Sequence, residues 1–200
     1  MFIQVIEGRV LDEAGVRRQL DRWERELRPG APGFLGSTGG ITGDGRFVLL
    51  ARFTSRADAM ANSDRPEQGA WWKELEACLA QPSFHDSEEV VALLGGGSDA
   101  AGFVQVMRGR VLDRDALAAI GERTAEFEGM LRRDRPDILG DVMALHDDGS
   151  YTEAVYLSSE EEAREGESRQ LPEDAEALMG EFMAVLEPEE YLDLTQPWLR

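Results

Sequence analysis

One stretch of eleven residues occurs twice in this chain. Residues 2–12 read FIQVIEGRVLD and residues 103–113 read FVQVMRGRVLD, so eight of the eleven positions are identical and the two stretches begin 101 residues apart. In a chain of 200 residues this spacing leaves about one hundred residues for each copy, which is enough for a small folding unit. The sequence therefore predicts two copies of one unit.

Helix and hairpin signals follow in the same order in both copies. Asp12 and Asp113 are N-cap candidates, because apolar residues at helical spacing come after each of them. An Asp-Gly pair then separates two strand-like runs in each copy, which predicts hairpins over 34–53 and 138–157.

The remainder of each copy reads as two helices and a last strand. Ser55 and Ser159 are N-cap candidates for the first helix, and Pro66 and Pro172 open the second. Helix ends are predicted at Pro82 and Pro188, and the last strands at about 84–94 and 189–194.

Each copy thus has the order βαββ(αα)β, which is typical of a ferredoxin-like antiparallel sheet with its helices on one face. The other face of such a sheet needs a cover, and a second copy can supply it. The expected fold class is α+β, with two ferredoxin-like repeats packed sheet to sheet as an intramolecular α+β barrel. The predicted domains are repeat 1 at 1–94, a Gly-rich linker at 95–102 and repeat 2 at 103–200.

The repeated strand carries one polar residue among apolar neighbours, Gln4 in repeat 1 and Gln105 in repeat 2. A buried polar side chain needs a partner or a wet cavity. We therefore expect both glutamines to face a lumen between the sheets and to bind a ligand there.

The formal net charge of -19 argues against nucleic acid and anionic membranes as partners. No apolar run approaches the ~20 residues that span a bilayer, and Cys78 is the single cysteine. These features predict a cytoplasmic protein that is a monomer or a weak homodimer. Twelve acidic residues and two arginines lie between Ser158 and Tyr191, which is typical of a solvated helical face or of a docking face for a basic partner.

The second strand differs between the copies. It reads STGG at 37–40 in repeat 1 and DVMA at 141–144 in repeat 2. Gly39 and Gly40 leave room beside the sheet, so they mark either a bulge or the close approach of a ligand.

Taken together, these features resemble the dimeric α+β barrel superfamily, and within it the antibiotic-biosynthesis-monooxygenase-like branch. The matching stretches are the repeated strand, the Asp-Gly hairpins, FTSRADA at 53–59, LSSEEEA at 157–163 and NSDRPEQGAWW at 62–72. Members of that branch usually dimerise to complete a barrel, and this chain would do so within itself.

The resemblance also implies a chemistry. Some enzymes of that family oxidise aromatic polyketides without metal or flavin, because the substrate anion reacts with oxygen directly beside an Asn, a Trp and an Arg. Here the candidates for those roles are Asn62, Trp72 and Arg52, with His85 as a general base. Trp71 is a further candidate ligand contact, and no metal or other cofactor is expected. The alternative is structural: Asn62 caps a helix, Trp72 is a core residue and the histidines lie at strand ends.

Two functions remain open from the sequence. The first is a barrel protein that binds a small apolar or aromatic molecule, with a cofactor-independent monooxygenase of secondary metabolism as its catalytic form. The second is a non-catalytic binding or interaction protein whose barrel is filled by side chains.

Overall fold

The computed structural model describes every residue from Met1 to Arg200. The chain forms two compact units, which are residues 1–89 with 198–200 (unit 1) and residues 90–197 (unit 2). Each unit contains one five-stranded sheet. The predicted α+β class and the predicted duplication of a ferredoxin-like unit are both confirmed.

Unit 1 follows the predicted order of elements. Its elements are β1 (Phe2–Val10), α1 (Glu13–Arg22), β2 (Phe34–Ile41), β3 (Arg46–Phe53), α2 (Arg56–Ser63), α3 (Pro66–Glu76), β4 (Leu79–Ser87) and β10 (Trp198–Leu199). The sheet has the strand order β10-β2-β3-β1-β4, and the paired strands are antiparallel. Helix α1 continues into a π-helical turn at Trp23–Leu27 and a 3-10 turn at Arg28–Gly30.

Unit 2 repeats this architecture with the strand order β5-β7-β8-β6-β9. A short strand completes the edge next to the hairpin in each unit, and β5 does so here. The elements are β5 (Glu89–Leu93), β6 (Phe103–Val111), α4 (Arg114–Gly121), α5 (Thr124–Asp134), β7 (Ile138–Leu145), β8 (Ser150–Leu157), α6 (Glu160–Ser168), α7 (Glu173–Ala184) and β9 (Leu186–Leu194).

Side-chain caps begin four of the helices at the predicted residues. Asp12 accepts a hydrogen bond from the Gly15 amide, and Asp113 accepts one from the Ala116 amide, each at 2.9 Å. The same role belongs to Ser55 at α2 and Ser159 at α6. Such a cap satisfies an N–H group that has no partner within its helix and contributes about 1 kcal/mol.

The helices of each unit pack on one face of its own sheet. In unit 1, Val16 of α1 and Leu75 of α3 pack with Ile6 and Leu49 of the sheet. In unit 2 the corresponding apolar layer forms two clusters, which include Leu117, Phe127, Met143, Tyr151, Leu178 and Val185. The helix-facing layer is therefore where a pocket can form within a unit.

The prediction that Pro82 and Pro188 mark helix ends was wrong. Pro82 and Pro188 lie inside strands, because β4 begins at Leu79 and β9 at Leu186. Both strands are sheet edges, where a residue without an N–H group leaves no ladder bond unmade. The register also shifts near both prolines, opposite Gly8 in unit 1 and between Arg108 and Gly109 in unit 2.

The strand predicted over 84–94 is divided in the structure. β4 ends at Ser87 and β5 starts at Glu89, so the segment serves two different sheets. The segment at the end of the chain, β10, likewise belongs to unit 1 rather than to the repeat that precedes it. No helix is long and apolar enough to cross a membrane.

Candidate functional site

Each unit has a pocket between its sheet and its helices, and the two differ in volume. The unit 2 pocket holds about 300 Å³, whereas the unit 1 pocket holds about 60 Å³. Apolar side chains form most of the wall of the unit 2 pocket, with Met107 and Val155 on the sheet side and Phe127 and Phe182 on the helix side. We call this larger space the unit 2 cavity.

Three tryptophans fill the corresponding space in unit 1. Trp23, Trp71 and Trp198 all line the small pocket, and the Trp71 indole nitrogen donates to the Gln19 carbonyl at 2.7 Å. Trp71 in unit 1 and Leu178 in unit 2 occupy equivalent positions. Each lies eight residues before a leucine, Leu79 or Leu186, and these two leucines pair with the same position of the repeated strand. Leucine in place of tryptophan leaves space, which is one reason why the unit 2 cavity is larger.

The edge strands add to this difference. In unit 1, β10 places Trp198 opposite Gly39 of β2, and the Trp198 ring also lies 6.4 Å from that of Phe47. In unit 2, β5 supplies Val91 and Leu93 to the cavity wall. The smaller aliphatic side chains occupy less of the helix-facing layer.

A pair of carboxyl groups, Asp141 of β7 and Glu153 of β8, lies on the sheet side of the unit 2 cavity. Asp141 is opposite Val155 and Glu153 is opposite Met143, so the two carboxyl residues are diagonal neighbours on one face. Their exposed fractions are 6% and 3%, and their side chains hydrogen-bond each other. We call these two residues the carboxyl pair.

Burial dominates the electrostatics of the carboxyl pair. Desolvation raises the pKa of Asp141 to about 7, although its hydrogen bond with Glu153 works in the opposite direction. Desolvation also raises the pKa of Glu153 well above its ordinary value, and the charge and hydrogen bond of Asp141 add to that rise. The pair therefore holds at least one proton at neutral pH.

Two polar atoms near the carboxyl pair have no partner in the protein. Glu153 Oε2 and the Tyr151 hydroxyl are both buried without a hydrogen bond. Burial, and next the charge of Glu153, raise the pKa of Tyr151. Because an unpaired buried acceptor is unfavourable, Glu153 Oε2 is a position where a bound molecule can supply the missing donor.

Arg135 contributes a hydrogen-bond donor to the same cavity. Its Nε and Nη2 donate to the two Asp137 carboxylate oxygens at 3.0 and 2.7 Å, which orients the guanidinium. Its Nη1 has no protein partner. The unit 2 cavity thus combines an apolar body with a proton-binding pair and an oriented donor.

Gln4 and Gln105 lie on the helix-covered face of their sheets, not on the opposite face that we expected. The reason is that Phe2, Gln4 and Ile6 share the face on which α1 and α3 pack. Gln4 donates to Asp86 at 3.1 Å, and Gln105 donates to Asp193 at 3.0 Å. Gln105 lines the unit 2 cavity and Gln4 lines the small pocket of unit 1.

The four candidate catalytic residues of repeat 1 are not brought together. Arg52 pairs with Ile3, and His85 pairs with Val5, so both belong to the sheet face away from the helices. Arg52 Nη1 donates to Thr38 Oγ1 at 3.0 Å. Neither Arg52 nor His85 lines the small pocket of unit 1.

Asn62, Trp71 and Trp72 are on the helix side. Asn62 is 4% exposed, lines the small pocket and accepts a hydrogen bond from Arg65 at 3.0 Å. Trp71 is buried in the core. Trp72 lies outside the pocket and packs against Phe84, with 4.8 Å between ring centroids.

Gly39 and Gly40 lie in a regular part of β2. The register shift of this strand is between Phe34 and Gly36 instead. A Cβ on Gly39 would come within 2.6 Å of the Val48 carbonyl and 2.7 Å of Leu49, so the missing side chain allows close packing in the sheet.

Sequence reasoning missed the carboxyl pair, although a signal was present. Asp141 and Glu153 occupy the strand positions of Ser37 and Leu49 in unit 1, with the same cross-strand partners relative to each hairpin. An acidic residue at each of two core-facing positions would have identified repeat 2 as the unusual copy. No three His, Cys, Asp or Glu side chains are close enough to form a metal site.

This chain is similar to known proteins in its three-dimensional structure, and the similarity was found among solved structures. No family model matches the chain, and no curated protein matches it. A candidate monooxygenase from Lactobacillus acidophilus matches with a TM-score of 0.70 and 9% identity over 100% of this chain and 99% of its own.

Two further structures also match over nearly the whole chain. A candidate monooxygenase from Fusobacterium nucleatum has a TM-score of 0.75 and 7% identity, over 100% of this chain and 93% of its own. An anthrone oxidase-like protein has a TM-score of 0.63 and 12% identity, over 99% of this chain and 92% of its own. The chain has the fold of these monooxygenase-like proteins. At such low identity the likeness concerns the fold.

Proposed function

We propose that the protein binds a small hydroxyaromatic molecule in the unit 2 cavity and oxidises it with molecular oxygen, without a metal or an organic cofactor. The observation that carries this proposal is the carboxyl pair on the wall of an otherwise apolar cavity. Perturbed ionisable groups in a concave apolar site are characteristic of catalytic sites.

The volume of the cavity suits a ligand of two or three fused rings. A dry cavity of about 150 Å³ admits benzene, and the unit 2 cavity holds about 300 Å³. The aromatic rings of Phe127 and Phe182 and the thioethers of Met143 and Met179 offer apolar contacts to such a ligand.

The polar groups supply the acid–base part of the reaction. An ionised carboxylate whose pKa is near 7 is suited to accept a phenolic proton at neutral pH. Arg135 Nη1 can donate to the oxygen on which negative charge develops. The ionised substrate then reacts with oxygen at a ring CH₂, and CH₂ plus O₂ gives C=O plus H₂O, so that no external reductant is needed.

The structural matches support this proposal at the level of the fold. Two of them are described as candidate monooxygenases and one as an anthrone oxidase-like protein. Hydroxylated anthrones carry a phenolic hydroxyl and an oxidisable CH₂, which are the two groups that the proposed reaction uses.

The test is oxygen consumption with a hydroxylated anthrone, measured for wild type and for Val155→Trp. Val155 lines the unit 2 cavity, so a tryptophan there fills the space and should abolish oxygen uptake. Retention of the tyrosine near-UV signal would show that unit 2 is folded, because all three tyrosines lie in it. Unchanged oxygen uptake in a folded Val155→Trp variant would contradict the proposed site.

The second candidate site is that of repeat 1, with Asn62, Trp72, Arg52 and His85. It is favoured by the buried Asn62 side chain that lines the small pocket. Asn62→Ala should leave oxygen uptake within about twofold of wild type if the reaction occurs in unit 2. A loss of turnover in a folded Asn62→Ala protein would move the site to repeat 1, and a protein that binds aromatics without oxygen uptake would be a binding protein.

A further inference from the structure

We propose that Glu153 Oε2 accepts a hydrogen bond from a ligand hydroxyl beside the Asp141 carboxyl group, so that the unit 2 cavity selects neutral hydroxyl-bearing molecules against carboxylates of the same shape. This inference rests on the proposed ligand site, but it does not depend on the oxidation. It names the chemical class of the ligand and separates the roles of the two carboxyl groups.

The first step is the division of the two Glu153 oxygens. Glu153 hydrogen-bonds Asp141, and its Oε2 atom has no partner. The bond to Asp141 therefore uses Oε1, and Oε2 is the oxygen left for a ligand. The Glu153 side chain is more than nine-tenths buried and lines the cavity, so water does not replace a missing donor without entering that cavity.

The second step is the position of the shared proton. Two ionised carboxylates cannot hydrogen-bond each other, because neither carries a donor. The two carboxyl groups therefore share a proton, which lies on Oε1 of Glu153 or on Asp141. In either arrangement Glu153 Oε2 carries no proton, so it accepts a hydrogen bond and donates none.

Other charged and titratable groups surround the carboxyl pair. Arg135 and Glu167 line the same cavity, and Arg135 is already paired with Asp137. Tyr151 is on the same strand, and Glu189 and Tyr191 of β9 interact with it electrostatically. None of these groups supplies an unpaired positive charge, so a carboxyl pair that holds one proton leaves the cavity with a net negative charge.

The consequence is discrimination by charge. A phenol can donate to Glu153 Oε2, whereas a carboxylate cannot donate and is repelled by the negative charge of the carboxyl pair. Two like charges about 4 Å apart repel strongly even at an effective dielectric constant near 20. We expect 1-naphthol to bind about 100-fold more tightly than 1-naphthoate at pH 8.

If the proposed oxidation occurs, the same geometry gives a proton path. With the shared proton on Glu153 Oε1, the ligand O–H bond breaks as its proton binds Glu153 Oε2, and the Glu153 Oε1–H bond breaks as that proton binds Asp141. Glu153 ends protonated as it began, and Asp141 carries the substrate proton. Glu153 is then a relay and Asp141 the final base.

The test uses calorimetric binding of 1-naphthol and 1-naphthoate to the full chain at pH 6 and pH 8. Glu153→Gln keeps an acceptor toward the ligand and a donor toward Asp141, so naphthol affinity should remain within about threefold. Glu153→Leu removes the acceptor, so naphthol affinity should fall about 5- to 10-fold. Asp141→Asn removes the charge, so 1-naphthoate should bind at pH 8 within about 10-fold of 1-naphthol.

Oxygen uptake separates this inference from the proposed function. Glu153→Gln cannot pass a proton through its amide, so uptake should fall about 100-fold while naphthol binding persists. Equal binding of naphthol and naphthoate to wild type at pH 8 would overturn the charge selection. If the binding pattern holds but no variant or wild type consumes oxygen, the oxidation is refuted and the ligand class stands.

Discussion

Replacing Asp141 by asparagine should change how the stability of unit 2 depends on pH. The pKa of Asp141 is about 7 in the folded protein and about 3.8 in an unfolded chain, so the folded state keeps a proton that the unfolded state releases. A carboxyl group whose pKa is raised by folding stabilises the folded state at any pH below its pKa in the unfolded chain. This contribution is lost as the pH rises through its pKa in the folded protein. Wild type should therefore lose stability between pH 4 and pH 7 through this group.

The size of this effect follows from the difference between the two pKa values. Each pH unit well inside this interval changes the free energy of unfolding by about 1.4 kcal/mol, and because Asp141 is half ionised at its folded pKa, the change is about 2 kcal/mol from pH 5 to pH 7. Above pH 7 the contribution of Asp141 levels off, because the folded state also releases this proton. Asp141→Asn lacks this ionisation, so its stability relative to wild type should rise by about 3 kcal/mol between pH 5 and pH 8.

The assay is urea unfolding at pH 5, 6, 7 and 8, followed by the near-UV signal of the tyrosines, all of which lie in unit 2. The tryptophans lie in unit 1 and report that unit separately. Asp99→Asn is a matched control, because Asp99 is exposed and should show a pH-independent difference from wild type. A constant difference between Asp141→Asn and wild type from pH 5 to pH 8 would refute the buried ionisation.

Three other substitutions test the fold of unit 2 through the same tyrosine signal. Asp113→Ala removes the cap of α4 and should lower the free energy of unfolding by about 1 kcal/mol, and a change below 0.3 kcal/mol would contradict the cap. Gly140→Ala would place a Cβ against the Gly96 carbonyl and should destabilise the unit by about 2 kcal/mol or more. Gly129→Ala has open space around its Cβ in α5, so it should stabilise by about 0.5–1 kcal/mol; a loss of stability would show an unrecognised contact.

Local signals in the sequence were sufficient for most of the elements and for their order. Asp12 and Asp113 cap helices because a short side-chain acceptor before an apolar periodic run has few other roles. The Asp-Gly pairs fixed both hairpins, since glycine takes the positive φ that each turn requires, +81° at Gly45 and +84° at Gly149. These features depend on a few neighbouring residues and are therefore readable from one sequence.

The prolines and the short edge strands were misread because their roles depend on distant residues. Pro82 is compatible with either a helix end or an edge strand, and β4 became an edge strand through pairing with β1. The volume of the unit 1 pocket similarly depends on Trp198, which joins β2 from the other end of the chain. No local pattern contains that information.

The carboxyl pair shows how duplication allows the two copies to differ. In unit 1 the positions hold Ser37 and Leu49, and tryptophans fill the adjacent space, so that layer is packed without a buried carboxyl pair. In unit 2 the same positions hold two carboxyl groups that weaken folding at neutral pH, beside a space that the side chains leave open. A buried pair that lowers stability is not explained by packing, because Ser and Leu satisfy the same backbone positions in the other copy. We therefore infer that unit 1 provides a copy of the fold whose helix-facing layer is filled by side chains, and that unit 2 carries the proposed site.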